Sequence, residues 1–96
     1  MSASVSVIEP IAFGESFIPV VTLPRGKTPD GGYWVKAMRE QGGFAAFSRV
    51  GNPLSTGVTP SWDGLAPATI RLQLFRIDNG VLRNVSGATC TFDLAY

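Results

Sequence analysis

The side chains that could do chemistry in this sequence are few and scattered. It contains no histidine, a single cysteine (Cys90) and seven carboxylates that follow no D-x-D-x-D pattern. A catalytic thiol or a Ser-His-Asp triad needs a base beside the nucleophile, usually histidine. Calcium needs clustered oxygen ligands and structural zinc needs several thiolates or imidazoles. We therefore expect no enzyme activity, no metal and no cofactor, and we interpret Cys90 as a small buried apolar residue.

The charge pattern argues against a nucleic-acid or membrane partner. The net charge is +1, from eight basic and seven acidic residues, with no run of like charge. Binding to phosphates needs a basic stripe, and the closest approach, Arg25-Gly26-Lys27, is typical of a solvated turn. The N-terminal MSASVSVIEP lacks the features of a secretion signal, and no apolar run reaches the length of a membrane span. We expect a protein that is made in the cytoplasm and used or assembled there.

Two tryptophans are the remaining candidates for recognition. Trp62 lies in the irregular segment 51–67, where its indole could stack on a sugar, contact a protein partner or fold back over the core. Trp34 follows a Gly-Gly pair and is predicted to begin a strand, with core burial favoured. A carbohydrate- or peptide-binding module would use Trp62 and Trp34.

The elements that must position these residues are short strands. Eleven glycines and seven prolines in 96 residues leave little room for helices. The pattern predicts one all-β domain over residues 1–96, a small antiparallel β-sandwich or barrel of jelly-roll or immunoglobulin-like type with long turn-rich loops. Residues 1–10 form either a first strand, at 4–8, or an extended arm. Tyr33–Arg39 and Phe44–Val50 predict a hairpin, with a short helix over Tyr33–Glu40 as the alternative.

The clearest structural signal is Asn79-Gly80, which lies between two apolar runs and predicts a β-hairpin. In the preceding run the residues expected to share one face are Ile70, Leu72 and Leu74. With a two-residue loop the predicted pairs are Ile77–Leu82, Arg76–Arg83 and Leu74–Val85. A three-residue loop, Asp78-Asn79-Gly80, would avoid the like-charge pair, so both registers stay open.

Residues 16–23, SFIPVVTL, predict a strand that is apolar on both faces. The residues expected on one face are Phe17, Val21 and Leu23, and those on the other are Ile18 and Val20. Pro19 has no N–H to donate, so one side of this strand must be unpaired. A neighbouring subunit would cover such an edge strand, and the low charge content of 16% also favours a covered surface. The predicted interface is Phe17, Ile18, Val20, Val21, Leu23 and Trp62.

The C-terminal third resembles small β-sandwich proteins found in the virions of tailed bacteriophages. The resemblance spans residues 68–96 and consists of a strand, ATIRLQ, a turn containing DNG, a segment VSGA and a closing strand TCTF. It implies a virion part without catalytic residues, assembled in the host cytoplasm. The resemblance favours a capsid decoration (cement) protein that forms a homo-oligomer, a trimer above all, and contacts a major capsid or tail protein. A small host-directed inhibitor or adaptor is a further alternative.

Overall fold

In the computed structural model, every regular element among the described residues is a β-strand. The structure describes residues 2–12, 14–24, 26, 32–42, 45–51 and 69–95. The strands are β1 (Ser4–Ser6), β2 (Val20–Thr22), β3 (Tyr33–Arg39), β4 (Ala45–Arg49), β5 (Thr69–Asp78) and β6 (Val81–Asp93). The predicted all-β class is therefore confirmed. Nothing in the described ranges forms a helix with the length and hydropathy needed to cross a membrane.

The strands form two antiparallel sheets that pack together as a small β-sandwich. One sheet contains β1 and β2, and the other has the strand order β4-β3-β5-β6. Alternation along β5 turns every second side chain towards the core, as predicted, and Ile70, Leu72 and Leu74 are completely buried. Phe17 closes the core against Phe92 with the two rings edge to face, 5.6 Å apart. The buried apolar layer between the sheets is the main source of stability.

The predicted β3–β4 hairpin is confirmed, and the alternative helix is wrong. β3 lies between β4 and β5 and pairs antiparallel with both. Its buried positions alternate with half-buried ones, the period of a strand between two others. In the turn that follows, the Arg39 guanidinium donates a hydrogen bond to the Gly42 carbonyl oxygen at 2.9 Å. Pairing on both edges of β3 outweighs the local helix preference of its residues.

The β5–β6 hairpin has the two-residue loop. Asn79 and Gly80 have φ angles of 51° and 77°, as a type I′ turn requires. Arg76 therefore lies opposite Arg83. This is the like-charge pair that the alternative three-residue loop would have avoided. Asp78 lies between them, with its Oδ2 3.7 Å from Arg76 Nη2 and 3.9 Å from Arg83 Nε. A shared carboxylate offsets the repulsion that would otherwise disfavour this register.

A bulge in β6 changes the pairing beyond that turn. Gln73 pairs with Thr89 and Phe75 pairs with Asn84, so two steps along β5 match five steps along β6. The three extra residues on β6 displace Val85 from Leu74, and the predicted Leu74–Val85 pair is wrong. Gly87, with φ of 80°, allows the bend at this point.

The N-terminal residues belong to the sandwich. β1 pairs with β2, with Val5 opposite Val21, and Ala3 and Val5 are buried. The first predicted strand is thus present as Ser4–Ser6, and the described part of the predicted arm includes a strand of the smaller sheet. Ile8, just beyond β1, is 78% exposed.

Candidate functional site

The strand predicted to form an interface has one face in the core and one face exposed. Phe17, Val21 and Leu23 are buried in the chain's own core. Ile18 and Val20, on the alternate positions, are 60% and 41% exposed. The strand is shorter than the predicted 16–23, since β2 spans only Val20–Thr22, but the predicted two-faced pattern of apolar residues is present. A neighbouring molecule could reach only Ile18 and Val20 among these five, since the other three are already covered.

The two tryptophans fare differently. Trp62 lies outside the described residues. Trp34 lies on β3 opposite Phe75 and is half-buried, while Val35 and Ala37 next along the strand's inner face are fully buried. The expected core burial of Trp34 is wrong because alternation along β3 points its side chain away from the smaller sheet.

Trp34 belongs to a group of apolar side chains on the outer face of the four-stranded sheet. We call this group the outer apolar patch, and its members are Trp34, Phe47, Phe75, Ile77 and Leu82. Strand register places them together, since Trp34 pairs with Phe75 and Ile77 pairs with Leu82. The exposed fractions of Phe47, Ile77 and Leu82 are 48%, 46% and 40%. The patch crosses all four strands at the end of the sheet near Asn79-Gly80.

Aromatic contacts hold the patch in a fixed shape. The rings of Phe47 and Phe75 are 5.6 Å apart in an edge-to-face arrangement. Lys36 Nζ lies 5.8 Å from the centre of the Phe47 ring, a cation–π distance. The patch therefore offers an apolar surface with two basic residues on the same face, Lys36 beside Phe47 and Arg49 opposite Trp34.

The sequence contains a signal for the part of this patch that lies on β5, but not for the parts on the other strands. On β5, the outward residues Thr69, Arg71 and Gln73 are polar, and the same parity continues into Phe75 and Ile77. The change from polar to apolar residues along one face of β5 can be read from the amino-acid sequence. The contribution of Phe47 and Leu82 cannot, because it depends on the register across four strands.

A cleft opens between the two sheets at the same end of the sandwich, and we call it the Arg76 cleft. Its volume is about 320 Å³. The smaller sheet's side contributes Ser2, Ala3 and Pro24, and the larger sheet contributes Tyr33, Arg76 and residues 84–86 of β6. Its wall combines a guanidinium and several polar side chains with apolar surface. This chemistry suits recognition of a small polar ligand.

Cys90 offers weak nucleophilic chemistry. It is a free thiol, half-buried on β6. Burial raises the pKa of the Cys90 thiol above its ordinary value, and the negative charge of Glu9 raises it further. The thiol is thus protonated at neutral pH, which disfavours attack on a substrate. Among the residues that the structure describes, no three histidine, cysteine, aspartate or glutamate side chains come together.

Comparison of the chain with protein-family models, curated proteins and solved structures gave no match. A function must therefore be inferred from the surface features of this chain and not from those of a related protein. They are the outer apolar patch, the exposed pair Ile18 and Val20, and the Arg76 cleft.

Proposed function

We propose that this protein is a non-enzymatic structural subunit of a bacteriophage virion, and that it acts as a capsid decoration (cement) protein. The observation that supports an assembly role is the outer apolar patch. Scattered single apolar residues are normal on a protein surface, whereas a contiguous patch that includes aromatic rings is typical of an interface. The choice of a virion rests on the resemblance of residues 68–96 to small β-sandwich proteins of tailed phages.

The positions of the exposed apolar residues suit a protein that joins two neighbours. The outer apolar patch lies on the outside of the four-stranded sheet, and Val20 lies on the outward side of β2 in the other sheet. In a two-layer sandwich these two outer faces point in opposite directions. One face can then bind a second copy of the chain while the other contacts a major capsid or tail protein.

Such binding stabilises a shell by mass action. A subunit that binds the assembled form, and not its separate parts, contributes about 2.7 kcal/mol at a concentration one hundred times its dissociation constant. The firm sheet beneath the patch reduces the entropy lost on binding, because its side chains are already ordered by their neighbours. No catalytic group is needed for this role.

The first experiment measures the native mass of the purified protein by sedimentation over a wide concentration range. We expect a defined oligomer, with a trimer favoured. Leu82→Gln should raise the dissociation constant by about tenfold or more, since truncation of an apolar contact at an interface costs over 1 kcal/mol at key positions. Val81→Gln is the matched control, because Val81 is 50% exposed, adjacent in sequence and absent from the patch.

Three results would contradict different parts of the proposal. A monomer at every concentration would overturn the homo-oligomer. Failure to cosediment with capsids or tails of the phage whose genome carries the sequence would overturn the virion role. Equal effects of Leu82→Gln and Val81→Gln would remove the outer apolar patch from the interface.

A carbohydrate- or peptide-binding module is the second candidate, and the position of Trp34 favours it. Its indole lies beside Phe75 on an accessible sheet face, where a flat sugar ring could stack. Binding to a glycan array that is lost in Trp34→Ala and in Trp62→Ala would support this function. If the folded protein bound no sugar on the array, carbohydrate binding would be eliminated as its function.

A further inference from the structure

The Arg76 cleft differs in chemistry from the outer apolar patch and is independent of it. Arg76 shares the inner face of β5 with Leu72 and Leu74, yet 49% of its side chain is exposed. The bulge in β6 explains this exposure. Opposite Leu74 the two strands part, the core ends, and the next inward side chain meets the cleft between the two sheets.

The guanidinium of Arg76 has unused capacity for hydrogen bonds. Among the described residues its nearest carboxylate oxygen, on Asp78, is 3.7 Å away, beyond the 2.7–3.2 Å typical of a hydrogen bond. A guanidinium carries five N–H donors in a planar fork that matches the two oxygens of a carboxylate. Arg76 can therefore bind an anion without first giving up a close protein partner.

The local charge favours an anion with one negative charge. Arg76 and Arg83 face each other across the hairpin and share the single carboxylate of Asp78. Two positive charges and one negative charge leave a surplus of one positive charge among the described residues at this corner. A single carboxylate would neutralise this surplus.

We propose that the Arg76 cleft is a binding site for a single carboxylate, held by Arg76 with a further hydrogen bond from Ser86. Ser86 lies on the bulge that lines the cleft, whereas the side chain of Asn84, which pairs with Phe75, belongs to the outer face of the sheet. Ala3, Pro24 and the ring of Tyr33 provide an apolar wall for the carbon skeleton of the ligand. The volume of about 320 Å³ is at the lower end of small-molecule sites, about 300–1,000 Å³, and fits a small organic acid or an acidic residue of a peptide.

The test is a chemical-shift titration of the folded, isotopically labelled protein. The probes are sodium acetate, a capped tripeptide with a central aspartate, the same peptide with asparagine, and inorganic phosphate. We expect shifts at the amides of residues 84–86 and of Tyr33 with acetate and with the aspartate peptide. The asparagine peptide should bind at least about tenfold more weakly, because a neutral amide forms weaker hydrogen bonds with a guanidinium than a carboxylate does.

Two arginine variants locate the site. Arg76→Gln should weaken binding of the aspartate peptide by about tenfold or more. Arg83→Gln removes the same charge from the opposite strand, but Arg83 does not line the cleft, so a change of a few-fold at most is expected. The dispersion of amide signals and the thermal midpoint of each variant check that it is folded.

Acetate and the aspartate peptide distinguish the source of the carboxylate. Equal affinities would support recognition of the carboxylate alone, and tighter binding of the peptide would support recognition of an acidic peptide segment. Absence of shifts with both probes at tens of millimolar would overturn the proposal. Tighter binding of phosphate than of acetate, or an equal loss in Arg76→Gln and Arg83→Gln, would also overturn it.

Discussion

The outer face of the four-stranded sheet has two halves that are built from the same strands and differ in how their side chains are satisfied. At one end the polar side chains bind one another: Arg71 Nε lies 2.6 Å from Glu40 Oε1, and Thr69 Oγ1 donates to Asp93 Oδ1 at 2.7 Å. Gln41 accepts a hydrogen bond from the backbone N–H of Thr69 at 3.1 Å. This polar half satisfies many of its polar groups within the chain.

The other half is the outer apolar patch, whose side chains are left partly exposed by the chain itself. Phe47, Ile77 and Leu82 are each at least 40% exposed although they lie on well-paired strands. The comparison shows that two groups of side chains can point outward from the same paired strands and still have different roles. We infer that the polar half contributes to the free energy of folding, whereas the outer apolar patch contributes to association. Each substitution below separates these two contributions.

The largest expected effect comes from removing the support shared by both halves. Leu72 is fully buried beneath the centre of the sheet. Leu72→Ala should lower the free energy of unfolding by about 2–5 kcal/mol, because it removes buried surface and leaves a cavity. Chemical denaturation measures this loss, and association should weaken only as far as folding does. A loss below about 1 kcal/mol would show that Leu72 does not anchor the sheet.

The next effect concerns the turn that sets the register of the outer apolar patch. Gly80 has φ of 77°, and a Cβ built there meets nothing within 4 Å. Gly80→Val should therefore cost about 1–3 kcal/mol through backbone strain alone. Gly80→Asn is the control, since asparagine tolerates this conformation better. Thermal unfolding of the three proteins should give the order glycine, asparagine, valine, and a valine variant as stable as the parent would contradict the turn assignment.

Local sequence patterns were sufficient to predict that turn and the strands around it. Alternation in residues 68–77 predicted the buried row of β5, and the chemistry of Asn79-Gly80 predicted the hairpin. They do not decide between the two-residue and the three-residue loop, because that choice depends on the carboxylate of Asp78 lying between two arginines. That arrangement is visible only when the strands are paired.

The bulge and the outer apolar patch were beyond such patterns for a different physical reason. The bulge is fixed by how residues 85–88 pack over β5, and Gly87 marks its position without giving its size. The patch draws its members from four strands, so its existence depends on their register. Trp34 was expected in the core because an indole buries much apolar area, and its outward position follows from the inward Val35 beside it.

A smaller effect is expected in the polar half. Thr69→Val keeps the shape of the side chain and removes the hydrogen bond that its hydroxyl donates to Asp93 and the longer one, at 3.4 Å, that it accepts from the Gln41 side chain. Because these groups are exposed, the loss should be about 0.5–1.5 kcal/mol of folding free energy. Thr91→Val, the same change at a neighbouring exposed position on β6, is the control and should be close to neutral. Sedimentation of Thr69→Val should match that of the parent. A shift towards monomer would mean that the polar half also takes part in association.

The smallest effect, and the most specific, comes from the ion pair between Arg71 and Glu40. Both side chains are partly exposed, at 40% and 30%, so solvent and salt screen their attraction. A double-mutant cycle with Arg71→Gln and Glu40→Gln should give a coupling energy of about 0.2–1 kcal/mol at low salt. At about 1 M NaCl, where the screening length is about 3 Å, this coupling should shrink. The association proposed for the outer apolar patch would be driven by apolar burial, so we expect it to persist under the same conditions. The opposite result would be dissociation of the oligomer at high salt with an unchanged coupling energy. Charge would then hold the subunits together, and the roles inferred for the two halves would have to be exchanged.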